Sequence, residues 1–128
     1  MDEDTMISKS VYVVDDAQAA RDVISMALKK TCHVKSFPSA EAAIEAMGSA
    51  PPDLVLLDIG LPGISGIEAL VQIKRLYPHM IVIMMSAYDD EKIIVYAMSL
   101  GAYDYLVKPL QMVILIEIVQ KALCTTTK

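Results

Sequence analysis

The chain lacks any apolar run approaching the ~18 residues that a membrane-spanning helix requires, so insertion into a bilayer is excluded. This holds although mean hydropathy is +0.46 and 55% of the residues are hydrophobic. Cysteine is scarce too. Cys32 and Cys124 lie far apart in sequence and share no metal-ligand spacing with His33 or His79, so both read as reduced thiols. Positive charge is in deficit, with 11 Lys and Arg against 16 Asp and Glu and a pI near 4.8. That balance argues against nucleic acid held through phosphate contacts. Met1-Asp2-Glu3-Asp4 has neither the positive region nor the apolar region of a signal peptide, which makes the cytosol the expected compartment. No repeat or linker divides the 128 residues, and one domain is expected, with its core at about 10–123 and frayed ends over 1–9 and 125–128.

What the chain does have is four short apolar runs with polar ends. Val11 to Val14 precedes Asp15 and Asp16, Leu54 to Leu57 precedes Asp58, Ile81 to Met85 precedes Ser86, and Tyr105 to Val107 precedes Lys108 and Pro109. Short apolar runs separated by helical stretches read as buried parallel strands. A fifth strand is expected at Val34 to Phe37. Between them, helices are expected from Ala17 to Lys29, from the cap Ser39 to Gly48, from the capping box Ser65/Glu68 to Leu76, from Asp89 or Asp90 to Gly101, and from Leu110 to Leu123. Strict alternation of strand and helix implies a doubly wound five-stranded parallel α/β sheet with five helices.

The carboxyl ends of parallel strands share one edge, so three carboxylates, a hydroxyl and an ammonium converge there. Such a group suits a divalent cation and a phosphoryl group. Mg²⁺ takes oxygen ligands and keeps several waters, binding through one or two carboxylates plus a phosphate, and Asp15, Asp16 and Asp58 fit that better than a protein-only Ca²⁺ cage. Each residue alone has a plainer reading. An Asp-Asp pair after a strand caps a turn, Asp58 before Gly60 and Pro62 is a turn aspartate, Ser86 caps a loop, and Lys108 is a solvated strand end. Convergence of four strand ends favours the shared site.

The Asp15-Asp16 pair, Asp58 with Pro62 four residues on and Gly66 eight on, Ser86-Ala87 and Lys108-Pro109 together resemble the receiver domain of two-component response regulators over about Ser10 to Leu123. The resemblance implies a flavodoxin-like strand order 2-1-3-4-5. It implies that Asp58 takes a phosphoryl group from a sensor histidine kinase or phosphotransfer protein. Asp16, Asp58 and the Gly60 carbonyl would hold Mg²⁺, with Asp15 direct or through water. Ser86 and Lys108 would contact the phosphoryl oxygens beside a cis peptide to Pro109, and Tyr105 would be the switch that turns inward as Ser86 moves. Such a domain controls an output domain or partner and catalyses only its own phosphorylation and dephosphorylation. A haloacid-dehalogenase-type phosphohydrolase also forms an aspartyl phosphate, but Gly60 stands where its second aspartate belongs. A receiver-like module that no longer takes phosphate is the third reading, against which the intact acidic, hydroxyl and lysine set speaks.

Helical spacing assigns Met112, Leu115, Ile116, Val119, Ala122 and Leu123 to the core in the last helix, and Ile94, Ala97 and Met98 in the fourth. Ile93, Tyr96, Val113, Ile114 and Ile118 are left as an outward apolar row, the expected face of a homodimer.

Overall fold

The computed structural model of the protein describes residues 9–125; residues 1–8 and 126–128, most of the expected frayed ends, lie outside the described residues. Five parallel strands, β1 Ser10–Val14, β2 His33–Phe37, β3 Leu54–Asp58, β4 Ile81–Ser86 and β5 Asp104–Val107, stand in the order β2-β1-β3-β4-β5. Helices α1 Gln18–Leu28, α2 Ala40–Met47, α3 Gly66–Leu76, α4 Glu91–Ser99 and α5 Met112–Thr125 connect and cover them. The expected doubly wound α/β fold and its strand order are what the chain adopts.

The central strands are continuous apolar runs because both of their faces are covered. Val11, Val13, Leu54, Leu56, Ile81, Ile83 and Met85 pack with Ile24 and Leu28 of α1 and with Leu115, Val119 and Ala122 of α5. The alternate residues Tyr12, Val14, Val55, Leu57, Val82 and Met84 pack with α2, α3 and Ala97 of α4. Burying each such aliphatic side chain is worth roughly 1.5–3 kcal/mol. Register is therefore firmly set, with Leu56 opposite Val13 on one side and Ile83 on the other.

Helix limits follow local chemistry. Ser39 accepts from the Ala42 amide, Asp90 from the Lys92 amide, and Ser65 and Glu68 form the reciprocal capping box. α3 stops at Leu76 because Tyr77 precedes Pro78 and takes an extended φ of −134°. Gly101 follows the end of α4 with φ +106°, a conformation that favours glycine.

Three side-chain assignments need correction. Met98 was expected in the core and is exposed, while Ile93 was expected outward and is half-buried. The inward stripe of α4 centres on Ala97, so Ile93 one turn below shares it and Met98 lies about 100° away. Ile118 was expected outward but packs partly against the α1/α5-side core, since it lies three residues after buried Leu115 and four before buried Ala122.

Candidate functional site

Strand register decides what meets at the carboxyl edge. β1 ends at Val14, level with Leu57, and β3 continues one residue to Asp58 beside Met85. β4 ends at Ser86, level with Val107, and the Lys108 amide donates to the Ser86 carbonyl at 2.7 Å. Asp15, Asp58, Ser86 and Lys108 thus emerge from four adjacent strands. The Lys108–Pro109 peptide is cis, as the sequence resemblance implied.

Asp15 and Asp16 have different surroundings. Asp15 is fully buried, whereas Asp16 is exposed at the bend after β1. Carboxylate oxygens of Asp15, Asp16 and Asp58 lie within 4.8 Å of one another. All three donors are hard oxygens and one of them faces solvent, a set suited to Mg²⁺ with its retained waters. Lys108 bridges two of them. Its Nζ donates to Asp15 Oδ2 at 2.7 Å and to Asp58 Oδ2 at 3.4 Å, so the ammonium sits closer to Asp15.

Electrostatics follow from burial. Desolvation pushes the Asp58 carboxyl above its ordinary range and the Asp15 charge adds to this, while Lys108 and the Gly60 amide partly oppose them. Burial works to lower the Lys108 ammonium, but its hydrogen bond to Asp15 and the charges of Asp58 and Asp15 outweigh that and hold it above the usual lysine range. The site is thus an acidic pocket of three carboxylates with the Lys108 ammonium fixed between two of them.

The chain matches the model of the response regulator receiver domain over residues 11–120. The chain belongs to this receiver domain family. It is 38% identical over 116 residues to the DNA-binding transcriptional regulator NtrC of Escherichia coli (strain K12), covering 88% of this chain and 24% of that protein. To the transcriptional regulatory protein FixJ of Azorhizobium caulinodans it is 34% identical, over 91% of this chain and 56% of FixJ. The chain therefore spans about a quarter of the length of NtrC. Among solved structures, the receiver domain of NtrX from Brucella abortus superposes with a TM-score of 0.85 at 33% identity, covering 91% of this chain and 99% of that one. The BeF3 activated DrrB receiver domain gives 0.85 at 30% identity, covering 90% and 97%.

In this receiver domain the β4–α4 connection is tied on both sides. Ser86 is buried and its Oγ accepts from the Tyr88 amide at 2.9 Å, while the Tyr105 hydroxyl donates to the Tyr88 carbonyl at 2.9 Å. Ser86 and Tyr105 are thus joined through one residue, Tyr88. Gly60 is exposed, and a Cβ built there would meet nothing within 4 Å. Gly66 is the opposite case. A Cβ on it would overlap the Asp58 carbonyl oxygen and lie 2.6 Å from Ile59 Cα, so the start of α3 packs directly on the backbone that carries Asp58.

Two holding residues carried no motif signal. Glu41 of α2 accepts from the Ile64 amide at 3.0 Å and occupies the space that a Gly63 Cβ would need, which anchors the loop after Asp58. Arg21 of α1 donates from Nη1 to the Asp15 carbonyl at 2.7 Å. The Glu41 contact spans 23 residues and the Arg21 contact six, neither follows a capping or turn pattern, and only the placement of α1 and α2 beside the strand ends reveals them. Of the outward row, Tyr96, Val113 and Ile114 are exposed, and Val95, 61% exposed, joins them on α4.

Proposed function

We propose that this receiver domain accepts a phosphoryl group on Asp58 from a phosphohistidine of a sensor kinase or phosphotransfer protein, and that the resulting charge resets Ser86, Lys108 and Tyr105 to signal to an output domain or partner. The observation that carries the reading is Asp58 itself, a nearly buried carboxylate at the end of β3 with Lys108 Nζ at 3.4 Å and two further carboxylates alongside. An Asp58 oxygen forms the new bond to phosphorus as the phosphorus–nitrogen bond breaks and the imidazole leaves with its electron pair. Asp15, Asp16, Asp58 and the Gly60 carbonyl are the residues that would hold Mg²⁺, and bound Mg²⁺ supplies neutralisation of the phosphoryl charge. Lys108 places a fixed positive charge where that negative charge develops. Ser86 exchanges its bond from the Tyr88 amide for one to the phosphoryl group, which loosens the tie between Tyr88 and Tyr105 and shifts the population of the β4–α4 connection.

All 128 residues form one receiver domain in this reading, acting in the cytoplasm as a switch rather than a turnover enzyme. Among the described residues no helix is long and apolar enough to cross a membrane. An apolar groove lined by Ala19, Val23, Pro109, Leu110 and Met112 adjoins Lys108 and offers a macromolecular donor a seat beside the site. Phosphorylation also promotes a homodimer through α4, β5 and α5, centred on Tyr96, Val113 and Ile114 with Ile93 and Ile118 at its margin. Ile114→Glu should then abolish the dimer seen by light scattering with a phosphate mimic while the monomer stays folded; a dimer unaffected by it would remove that interface. The primary test is mass spectrometry after incubation with a small phosphodonor and Mg²⁺. Wild type should gain one phosphoryl mass and Asp58→Asn none, and undiminished labelling of the variant would overturn the assignment.

A further inference from the structure

We propose that Arg21 is a positioning residue for the cation site, acting through the backbone of the Asp15–Asp16 turn; this rests on the reading that Asp15, Asp16 and Asp58 hold Mg²⁺. Every polar group of Asp15 is engaged. Its amide donates to the Phe37 carbonyl at 3.1 Å, Oδ1 accepts from the Ala17 amide at 2.9 Å, Oδ2 accepts from Lys108 at 2.7 Å and its carbonyl accepts from Arg21 Nη1 at 2.7 Å. Both ladders of β1 end at Val14, so the Asp15 carbonyl lies past the last strand pairing and takes its partner from a side chain instead.

That carbonyl belongs to the peptide linking Asp15 to Asp16. Arg21 fixes the plane of this peptide from one side, and the Ala17 amide bound to Asp15 Oδ1 fixes the turn from the other. Asp16 is exposed, and among the described residues no hydrogen bond holds its carboxylate, so its aim toward Asp15 and Asp58 is set by the backbone alone. Freeing the peptide would leave one cation ligand to be ordered only on binding, which costs affinity.

The placement of Arg21 also calls for a reason beyond helix formation. It stands at the fourth residue of α1, near the helix N-terminus, where a cation runs against the helix dipole. Its side chain turns back over the turn to reach the carbonyl, and the residue is half-buried. A guanidinium near three carboxylates has a second, opposing effect, because its charge competes with a bound cation. The two effects predict opposite signs for its removal, and positioning predicts weaker Mg²⁺ binding.

Calorimetric Mg²⁺ titration of the folded chain separates them. Arg21→Met, which keeps the aliphatic packing and removes the donors, should weaken Mg²⁺ about tenfold. Arg21→Lys, which keeps a charged donor on a long stem, should restore most of that loss. Leu56→Ala, destabilised in the core of the sheet rather than at the turn, sets what lost stability alone does to the affinity and should leave it near wild type. Asp16→Asn tests the cation site itself and should bind far more weakly than wild type. If Arg21→Met fails to fold, Arg21→Gln, with a donor too short to reach, gives the same loss. Arg21→Met or Arg21→Gln binding as tightly as wild type or tighter, or losing no more than Leu56→Ala, would overturn the positioning role while the site stands. Wild type showing no Asp16-dependent Mg²⁺ binding would overturn the cation site and the role of Arg21 with it.

Discussion

The centre of the sheet and its β5 edge are built to opposite rules. β1, β3 and β4 are buried along almost their whole length and deliver Asp15, Asp58 and Ser86, all three nearly inaccessible. β5 is only partly buried, ends in exposed Val107, and delivers Lys108 and Tyr105, whose partners are an acidic pair on one side and a loop carbonyl on the other. In the proposed reading the buried centre holds Asp58 in fixed geometry for a phosphoryl donor. Tyr105, which responds afterwards, stands on the softer edge.

The largest effect should come from emptying the centre. Leu56→Ala removes a fully buried side chain between Val13 and Ile83 and should cost about 2–5 kcal/mol in urea unfolding. Val107→Ala on the edge, already 40% exposed, should cost about 0.5 kcal/mol. Similar losses at the two positions would dissolve the contrast.

Next comes the joint between the centre and its first loop. Gly66→Ala drives a Cβ into the Asp58 carbonyl and Ile59, so the backbone must shift at a cost of about 1–3 kcal/mol. Labelling of Asp58 should fall with it, since the proposed phosphoacceptor rides on the displaced segment. A variant both stable and fully labelled would show that the close packing of α3 on β3 does not set the aim of Asp58.

Those two residues differ in how far the sequence announced them. Leu56 was legible from the apolar run alone, because a strand buried on both faces needs no alternation to be recognised. Gly66 was visible as a spacing, but why a glycine stands there required the approach of α3 to the Asp58 carbonyl. The gathering of Asp15, Asp16, Asp58, Ser86 and Lys108 at the carboxyl edge was legible because strand ends are marked by the switch from apolar to polar residues. Arg21 and Glu41 were not, since each acts through a backbone group outside its own helix, six and 23 residues away, that no local pattern marks. Helix faces were legible only to within one residue. Met98 and Ile93 were exchanged because a nine-residue helix with apolar residues around much of its circumference defines its stripe poorly.

A subtler difference is that the centre stores electrostatic penalty. Burial and Asp15 raise the Asp58 carboxyl above its unfolded value, so at low pH the fold keeps its full stability, which is lost as pH rises through the folded pKa of Asp58. In metal-free buffer Asp58→Asn should therefore be no more stable than wild type in acid and more stable at neutral pH, the gap opening upward from the ordinary aspartate range. Mg²⁺ should close that gap by stabilising wild type alone. Melting curves from pH 3 to 8 check this, and a gap constant with pH would place the cause in packing rather than charge.

A small stability change with a sharp consequence lies at the edge. Tyr105→Phe deletes one hydrogen bond, from the hydroxyl to the Tyr88 carbonyl, at a partly exposed position, and should cost about 0.5–1.5 kcal/mol. The ring and its packing against the α2/α3-side core are kept, so the centre should be untouched and labelling of Asp58 should proceed at the wild-type rate. What changes is the tie from Ser86 through Tyr88 to β5. Without it Tyr88 keeps its amide bond to Ser86 but loses the tie at its carbonyl, and the amides of Tyr88, Asp89 and Asp90 should exchange with solvent faster in the unphosphorylated state. If the edge reads what the centre records, adding a phosphate mimic should then produce a smaller further change in those amides than in wild type. An exchange pattern identical to wild type in both states would mean that Tyr105 does not couple the two regions.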